Sequence, residues 1–249
     1  MTSWGEQVFR YCERARDAAF WAEPFNAVSN AGFLLVAIWG LARLRRLNTA
    51  APEDRGGHVL LAVLVGLTAA IGIGSFLFHT FATRWSRLAD VVPIAIFMAC
   101  YLAFALRVFL GLSPWRIMLC LGIFLAASGL MASIACPVSL ASVTSFAREP
   151  CLKGTMGYVP ALAALVLIGS LVRKRHAAGH MLMIAAGLFL AAMLLRWLDA
   201  RACTTVIILG RPRGTHALWH LINAATLAVL LSAAFDALGR RTAASPSRS

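Results

Sequence analysis

The amino-acid sequence predicts an all-α integral membrane protein, built as a seven-transmembrane helix bundle. Of its 249 residues, 60% are hydrophobic and 13% are charged, and the mean hydropathy is +0.78. A soluble domain of this length carries far more polar residues. The apolar residues fall into segments close to the roughly 20 residues that a helix needs to cross a bilayer. The predicted spans are residues 27–44, 58–79, 89–110, 115–134, 156–172, 179–197 and 215–236.

These spans form one predicted membrane domain, residues 27–236, between an N-terminal interfacial segment at 1–26 and a polar C-terminal tail at 237–249. The N-terminal segment carries charges throughout and lacks the apolar core of a cleavable signal peptide. The net charge of +13 does not indicate a nucleic-acid partner. The basic residues lie between apolar segments, where they set topology and contact lipid head groups. The sequence does not indicate an oligomeric state.

Basic clusters favour an N-terminus outside the membrane and a C-terminus in the cytoplasm. The two sides carry nearly equal numbers of Lys and Arg, but compact clusters at 43–46, 173–175 and 240–241 adjoin spans on the C-terminal side. The loop cysteines fall on the opposite face, which suits an oxidising compartment. Of the three pairings that four cysteines allow, one is Cys12–Cys203 with Cys136–Cys151, and unpaired thiols are the alternative.

The last span opens with two histidines, His216 and His220, that lie one turn apart on the same helix face. Two imidazoles in this arrangement bind a divalent metal. His79, at the end of the second span, is the third candidate ligand. Three histidines with an open fourth position are typical of a hydrolytic zinc site. On a soluble helix such a pair is usually incidental, whereas ionisable groups within apolar spans are costly and are mostly functional.

Two further residues lie close to the predicted metal ligands. Ser75 precedes His79 by one helical turn, and Asp90 opens the third span. The Ser75 hydroxyl either bonds back to a helix carbonyl or donates to an oxyanion. Asp90 either caps its helix or accepts a proton from a metal-activated water.

A polar cluster marks the start of the first span, comprising Glu23, Asn26, Ser29 and Asn30. These residues either form a network that braces the site or supply oxygen ligands to a hard cation such as calcium. The cluster, the metal ligands and Asp90 all lie at ends of spans that face the same side of the membrane. Such convergence is what a single site requires.

Two loop regions on this face have open roles. Asp199, after the sixth span, either orients a histidine or pairs with Arg196 or Arg201, and we expect a structural role. The loop at 135–155 is a candidate lid over the site.

The segment Glu23-Pro24-Phe25-Asn26-Ala27-Val28-Ser29-Asn30, then Gly74-Ser75-Phe76-Leu77-Phe78-His79, Asp90 and His216-Ala217-Leu218-Trp219-His220, resembles the alkaline ceramidase family. The resemblance covers roughly Cys12 to Asn223. That family belongs to a superfamily of seven-span membrane hydrolases that includes adiponectin-type receptors. The resemblance implies that His79, His216 and His220 hold zinc, that Asp90 transfers protons and that Ser75 stabilises an oxyanion.

The resemblance also implies a calcium site near the N-terminus, with Glu23 as a candidate ligand. The family usually has an aspartate before its Trp-Cys-Glu motif, whereas this chain reads Arg10-Tyr11-Cys12-Glu13. The positive charge of Arg10 argues against an intact calcium site.

The predicted function is that of a zinc-dependent intramembrane amidohydrolase. It would cleave the N-acyl amide of ceramide-like membrane lipids to a long-chain base and a free fatty acid. The alternatives are a lipid-ester hydrolase of the same superfamily and a seven-span lipid receptor with structural zinc. An open fourth zinc position favours the enzyme, and four filled protein positions favour the receptor.

Overall fold

A computed structural model describes residues 3–50, 55–136 and 149–243 of the protein. Among these residues, seven helices are long and apolar enough to cross a membrane, as predicted, and they form one bundle. The spans are Pro24–Leu47, Gly56–Phe81, Arg84–Val108, Pro114–Ser133, Cys151–Val172, Ala178–Leu198 and His216–Arg240. The protein is therefore a multi-pass membrane protein.

Most of the described residues are helical. The α-helices are α1 (Pro24–Ser29), α2 (Ala31–Ala50), α3 (Arg55–Phe81), α4 (Arg84–Val108), α5 (Pro114–Ser133), α6 (Val159–Val172), α7 (Ala178–Leu198) and α8 (His216–Ala243). Two 3-10 segments in the described loops are Cys151–Tyr158 and Ala202–Thr204. Short antiparallel pairs join β1 (Ala135–Cys136) to β2 (Glu149–Pro150) and β3 (Ile207–Ile208) to β4 (Arg211–Pro212).

Small residues allow the helices to approach closely, and large apolar residues face outward. Ala185 and Ala192 in α7, like Ala234 in α8, have no exposed surface, and these two helices pack against each other. Close contact between small residues is how helices associate in lipid. Leu35 and Leu167 are 67% and 61% exposed, which suits contact with hydrocarbon.

The N-terminal segment, predicted to be interfacial, packs onto the bundle. Val8 N donates to the Ala82 carbonyl at 2.6 Å, just after the end of α3. Tyr11 and Cys12 are buried. A disulfide joins Cys12 to Cys203 in the loop between α7 and α8, with their Cα atoms 5.5 Å apart. The segment therefore forms part of the end of the bundle.

The second predicted disulfide, Cys136–Cys151, is also present and closes the β1–β2 hairpin. The predicted lid at 135–155 includes residues 137–148, which lie outside the described residues. At the C-terminus, α8 continues past the predicted span end at 236, so the predicted polar tail begins as helix. Residues 244–249 lie outside the described structure.

Gly74 allows α3 to lie directly against α4. A Cβ atom at Gly74 would overlap the carbonyl group of Ala89 and approach the backbone nitrogen of Asp90 to 3.2 Å. No side chain fits this contact without a movement of α4. The glycine therefore fixes the separation between Ser75 on α3 and Asp90 on α4.

We expect Gly74→Ala to lower the midpoint of thermal unfolding of the detergent-solubilised protein. Overpacking of this kind typically costs about 1–3 kcal/mol. Gly66→Ala is the matched control, because Gly66 lies in the same helix and nothing lies within 4 Å of its would-be Cβ. That variant should leave the midpoint unchanged or raise it slightly, since Ala favours a helix over Gly by about 1 kcal/mol. Equal midpoints for the two variants would contradict the close contact.

Candidate metal centre

The structure brings together the three histidines that the sequence singled out. His79 comes from the end of α3, and His216 and His220 come from the first turns of α8. All three are at most 2% exposed. One ring nitrogen of each lies within 4.8 Å of the others, so that the group could hold a metal ion.

A carboxylate fixes the ring of His79. His79 Nδ1 donates to Glu23 Oε2 at 2.6 Å, which leaves the Nε2 lone pair directed away from Glu23. Burial alone would raise the pKa of Glu23, but its interaction with His79 and hydrogen bonds from Asn26 and Arg14 lower that pKa below its ordinary value. Glu23 is therefore a carboxylate that orients a candidate metal ligand, an arrangement that is common around metal-bound histidines.

A serine fixes the ring of His220 in the same way. The Ser29 hydroxyl donates to the Asn26 carbonyl at 2.9 Å, so its oxygen acts as acceptor for His220 Nδ1–H at 2.8 Å. This choice of tautomer leaves His220 Nε2 as a lone pair. The polar cluster at the start of the first span thus braces the site, as one of the two sequence-based alternatives proposed.

The remaining ring nitrogens fit a metal ion. His79 Nε2 and His216 Nδ1 are buried and have no hydrogen-bond partner among the described residues. Buried polar atoms without partners are rare in proteins, and an ion held by the three imidazoles accounts for these two. His216 also stacks on the Tyr11 ring, with centroids 3.8 Å apart.

Asp199 holds the start of α8 in place. Its Oδ1 accepts the backbone N–H groups of Thr215 and His216 at 2.8 and 2.9 Å, and its Oδ2 accepts that of Cys12 at 3.1 Å. Gly214 permits this contact, since its φ is +62° and a Cβ there would overlap Asp199. The predicted structural role is thus correct. Its form is a helix cap, in place of the ring orientation or ion pair considered from the sequence.

Ser75 and Asp90 lie beside the histidines. Ser75 Oγ is 3.5 Å from His220 Nε2, and both Ser75 and Asp90 are buried and line one cavity with His216 and His220. Asp90 is not a helix cap, because α4 begins earlier, at a Thr83 cap paired with Ser86. Its carboxylate therefore remains available to the cavity.

The cavity extends from the histidines into the bundle, as far as Leu230 on α8. Most of its lining is apolar, including Phe97, Phe124 and Leu182. Arg196 also lines it, near the histidines, where its guanidinium lies over the Trp219 ring at 5.2 Å.

Tyr11 fixes Arg196 at this position. Arg196 Nη1 donates to the Tyr11 hydroxyl at 3.2 Å. Burial raises the pKa of Tyr11 to about 12, so the phenol remains protonated at neutral pH. One end of the cavity is therefore polar and cationic, and the rest is apolar.

The acidic groups near the N-terminus do not fit a calcium ion. Both oxygens of Glu23 are engaged, Oε1 by Arg14 Nε at 2.6 Å and Oε2 by His79. Glu13 accepts two backbone N–H groups at the start of α1 and Arg213 Nη1 at 2.7 Å. Calcium takes six to eight oxygen ligands, and two arginines already lie against these carboxylates. Glu23 instead contacts the His79 ring, in line with the sequence-based argument from Arg10 against an intact calcium site.

Three residues that contact or support the histidine group could not be identified from the sequence. Arg14 lies in a run of alternating charges that is typical of a solvated surface, and yet it is 1% exposed. Tyr11 has no spacing relative to His216 that indicates a stack. Arg196 was considered only as a partner of Asp199. The density of polar groups from Glu23 onward was the one available signal that the N-terminal segment reaches the site.

We expect Ser29→Ala to weaken metal binding by about 10–100-fold, because it removes the acceptor that orients His220. Ser232→Ala is the matched control, since that hydroxyl donates to the Ala228 carbonyl of its own helix at 2.8 Å and, among the described residues, does not contact the histidines. Competition with a chromophoric chelator for zinc would measure both affinities in detergent. Equal affinities for the two variants would show that Ser29 does not position the ligand.

The comparison with protein families agrees with this geometry. A search of curated proteins found no relative. The family model described as Ceramidase matches residues 9–244, nearly the whole chain, and the match includes all three histidines, Ser75 and Asp90. Ceramidases are hydrolases. The protein belongs to the ceramidase family.

Proposed function

We propose that the protein is a zinc-dependent intramembrane amidohydrolase that cleaves the N-acyl amide of ceramide-like lipids. The products would be a long-chain base and a free fatty acid. One observation carries this proposal: three buried histidines with converging ring nitrogens adjoin an apolar cavity that also contains Ser75 and Asp90.

The donor set supports zinc. Three imidazoles are the ligands of many catalytic zinc sites, and two of the three rings have their second nitrogen held by a protein acceptor. Such an ion, when bound, supplies a water of lowered pKa and polarises the scissile carbonyl.

The protein residues would move the protons. Asp90 would accept the proton of the attacking water and return a proton to the nitrogen of the leaving amine. Ser75 would donate its hydroxyl hydrogen to the carbonyl oxygen as negative charge develops on it. The contact of Ser75 Oγ with His220 Nε2 supports the role of Ser75. The position of Asp90 in the same cavity lining as Ser75, His216 and His220 supports the role of Asp90.

The shape of the cavity supports a lipid substrate. Its apolar part would hold an acyl chain, with the amide at the histidines and the polar part of the lipid toward Arg196. An acyl chain that enters from the bilayer exchanges one apolar environment for another, so the shape of the cavity, more than hydrophobic transfer, would determine which chain binds.

We expect Asp90→Asn to lower fatty-acid release from a panel of ceramides by at least about 10²-fold, because it removes the proton acceptor. Ser75→Ala should lower turnover by about 10²–10³-fold. Both proteins should still bind zinc. The assay pairs zinc content with fatty-acid release from purified protein.

Asp236→Asn is the control for this assay, since Asp236 pairs with Arg43 at 2.7 Å and does not line the cavity. It should retain activity. Full turnover by folded Asp90→Asn protein would overturn the mechanism. Release from ester lipids alone would identify an ester hydrolase, and bound zinc without release from any lipid would favour a receptor.

We propose that the metal-site face lies outside the cytoplasm and that the C-terminus lies inside it. Both disulfides belong to the face that carries the site, and disulfides persist in oxidising compartments. In intact cells, a membrane-impermeant maleimide should label Arg16→Cys, on this face, and not Arg116→Cys, at the start of α5. The reverse pattern would show the opposite orientation.

A further inference from the structure

The side chain of Arg14 lies buried between the N-terminal segment and the end of α3, next to the metal centre. It is 1% exposed. Nε donates to Glu23 Oε1 at 2.6 Å. Nη1 and Nη2 donate to four backbone carbonyls, those of Asp17 (3.1 Å), Ala19 (2.9 Å), His79 (2.9 Å) and Thr80 (3.0 Å). All five N–H donors of the guanidinium therefore meet oxygen atoms, an environment of the kind that proteins build for hard cations.

These bonds hold His79 from two directions. Nη2 binds the backbone carbonyls of His79 and Thr80, which lie in the last turn of α3 and have no partner within the helix. A cation at the C-terminal end of a helix also interacts favourably with the helix dipole. Nε binds Glu23, whose other oxygen binds the His79 ring. Arg14 thus fixes both the backbone and the ring of one metal ligand.

Close to Arg14 and Glu23, a second arginine, Arg213, also pairs with a glutamate. Arg213 Nη1 donates to Glu13 Oε1 at 2.7 Å, and the Glu13 carboxylate accepts the backbone N–H groups of Phe25 and Asn26 at 3.0 and 2.8 Å. Glu13 thereby holds the start of α1, which directly follows Glu23. Glu13 and Glu23 are therefore each paired with an arginine of the chain itself.

We propose that Arg14 is a positioning residue that acts as a tethered cation, so that the metal centre assembles without calcium. This inference rests on the proposed zinc site and extends it. A free cation would have to be recruited from solution to neutralise Glu23 and to bind the carbonyl groups at the end of α3. The guanidinium is attached to the chain and cannot dissociate, so the geometry of His79 does not depend on the concentration of divalent ions.

The first test is the response of the wild-type protein to calcium. Protein freed of divalent metals and reloaded with zinc is measured in calcium-free buffer or in millimolar Ca²⁺, with a zinc chelator chosen to be insensitive to Ca²⁺. Zinc affinity and the midpoint of thermal unfolding should be the same in both conditions. A loss of zinc affinity or a lower midpoint in calcium-free buffer would overturn the proposal.

The second test replaces the arginine. Arg14→Gln should weaken zinc binding by about 10–100-fold and lower the unfolding midpoint, because Glu23 loses its cation and the ligand loses its support. Arg14→Lys should give intermediate values, since lysine keeps the charge but offers three donors on a flexible stem. Arg16→Gln is the matched control, because Arg16 is exposed on the same segment. Zinc affinity that is equal in Arg14→Gln and Arg16→Gln would refute the proposal.

A double-mutant cycle covers the case in which Arg14→Gln does not fold. The variant with Arg14→Gln and Glu23→Gln removes both charges of this ion pair, so neither is left buried without its partner and the largest expected cause of misfolding is avoided. If Arg14 acts through Glu23, the double variant should bind zinc about as weakly as Glu23→Gln alone. Fully additive losses would contradict action through Glu23.

These measurements use no lipid substrate, so their outcome is separate from that of the proposed hydrolysis. Wild-type protein that binds zinc but releases no fatty acid would reject the proposed reaction and leave the role of Arg14 intact. Hydrolysis of ceramide by the wild-type protein only when calcium is present would support the proposed reaction and reject the proposed role of Arg14.

Discussion

The hydrogen bond between Glu23 and His79 is the interaction on which the arrangement of this site depends. It places a carboxylate, 2% exposed, at the end of a membrane bundle. A buried carboxylate is costly unless positive or donor groups surround it. Arg14 supplies them, and it reaches Glu23 only because the N-terminal segment folds over the end of α3. The Cys12–Cys203 disulfide fastens the same segment to the opposite side of the site.

Two charged groups hold the two helices that carry the histidines, and each has the sign that its helix end favours. Arg14 binds the carbonyl groups at the C-terminal end of α3, and Asp199 binds the N–H groups at the N-terminal end of α8. Helix dipoles make the first position favourable for a cation and the second for an anion. The histidines therefore lie on helix ends that are anchored to other parts of the chain, which limits the movement of the ligand atoms.

The sequence predicted the features that arise from short-range patterns. Span number follows from apolar length, and the convergence of His79, His216 and His220 follows from their positions at span ends. The partners of these residues were not predictable, because they depend on how a loop folds over the bundle. Arg14 contacts His79 across 65 positions of sequence, and no periodicity relates the two. The sequence argued against a calcium site from Arg10 alone and could not place Arg14 beside Glu23.

The metal centre alone does not determine which bond is hydrolysed, because three imidazoles and a carboxylate suit amides and esters alike. The choice among lipid substrates would depend on the cavity. His220 and Leu230, both in its lining, are separated by about 15 Å along α8, from a rise of 1.5 Å per residue. Near Leu230, the Tyr101 hydroxyl donates to the Leu230 carbonyl at 3.0 Å and joins α4 to α8. An acyl chain of the proposed substrate that entered from the histidines would meet this contact at the far end. The two helices that carry Asp90, His216 and His220 would then also limit the length of that chain.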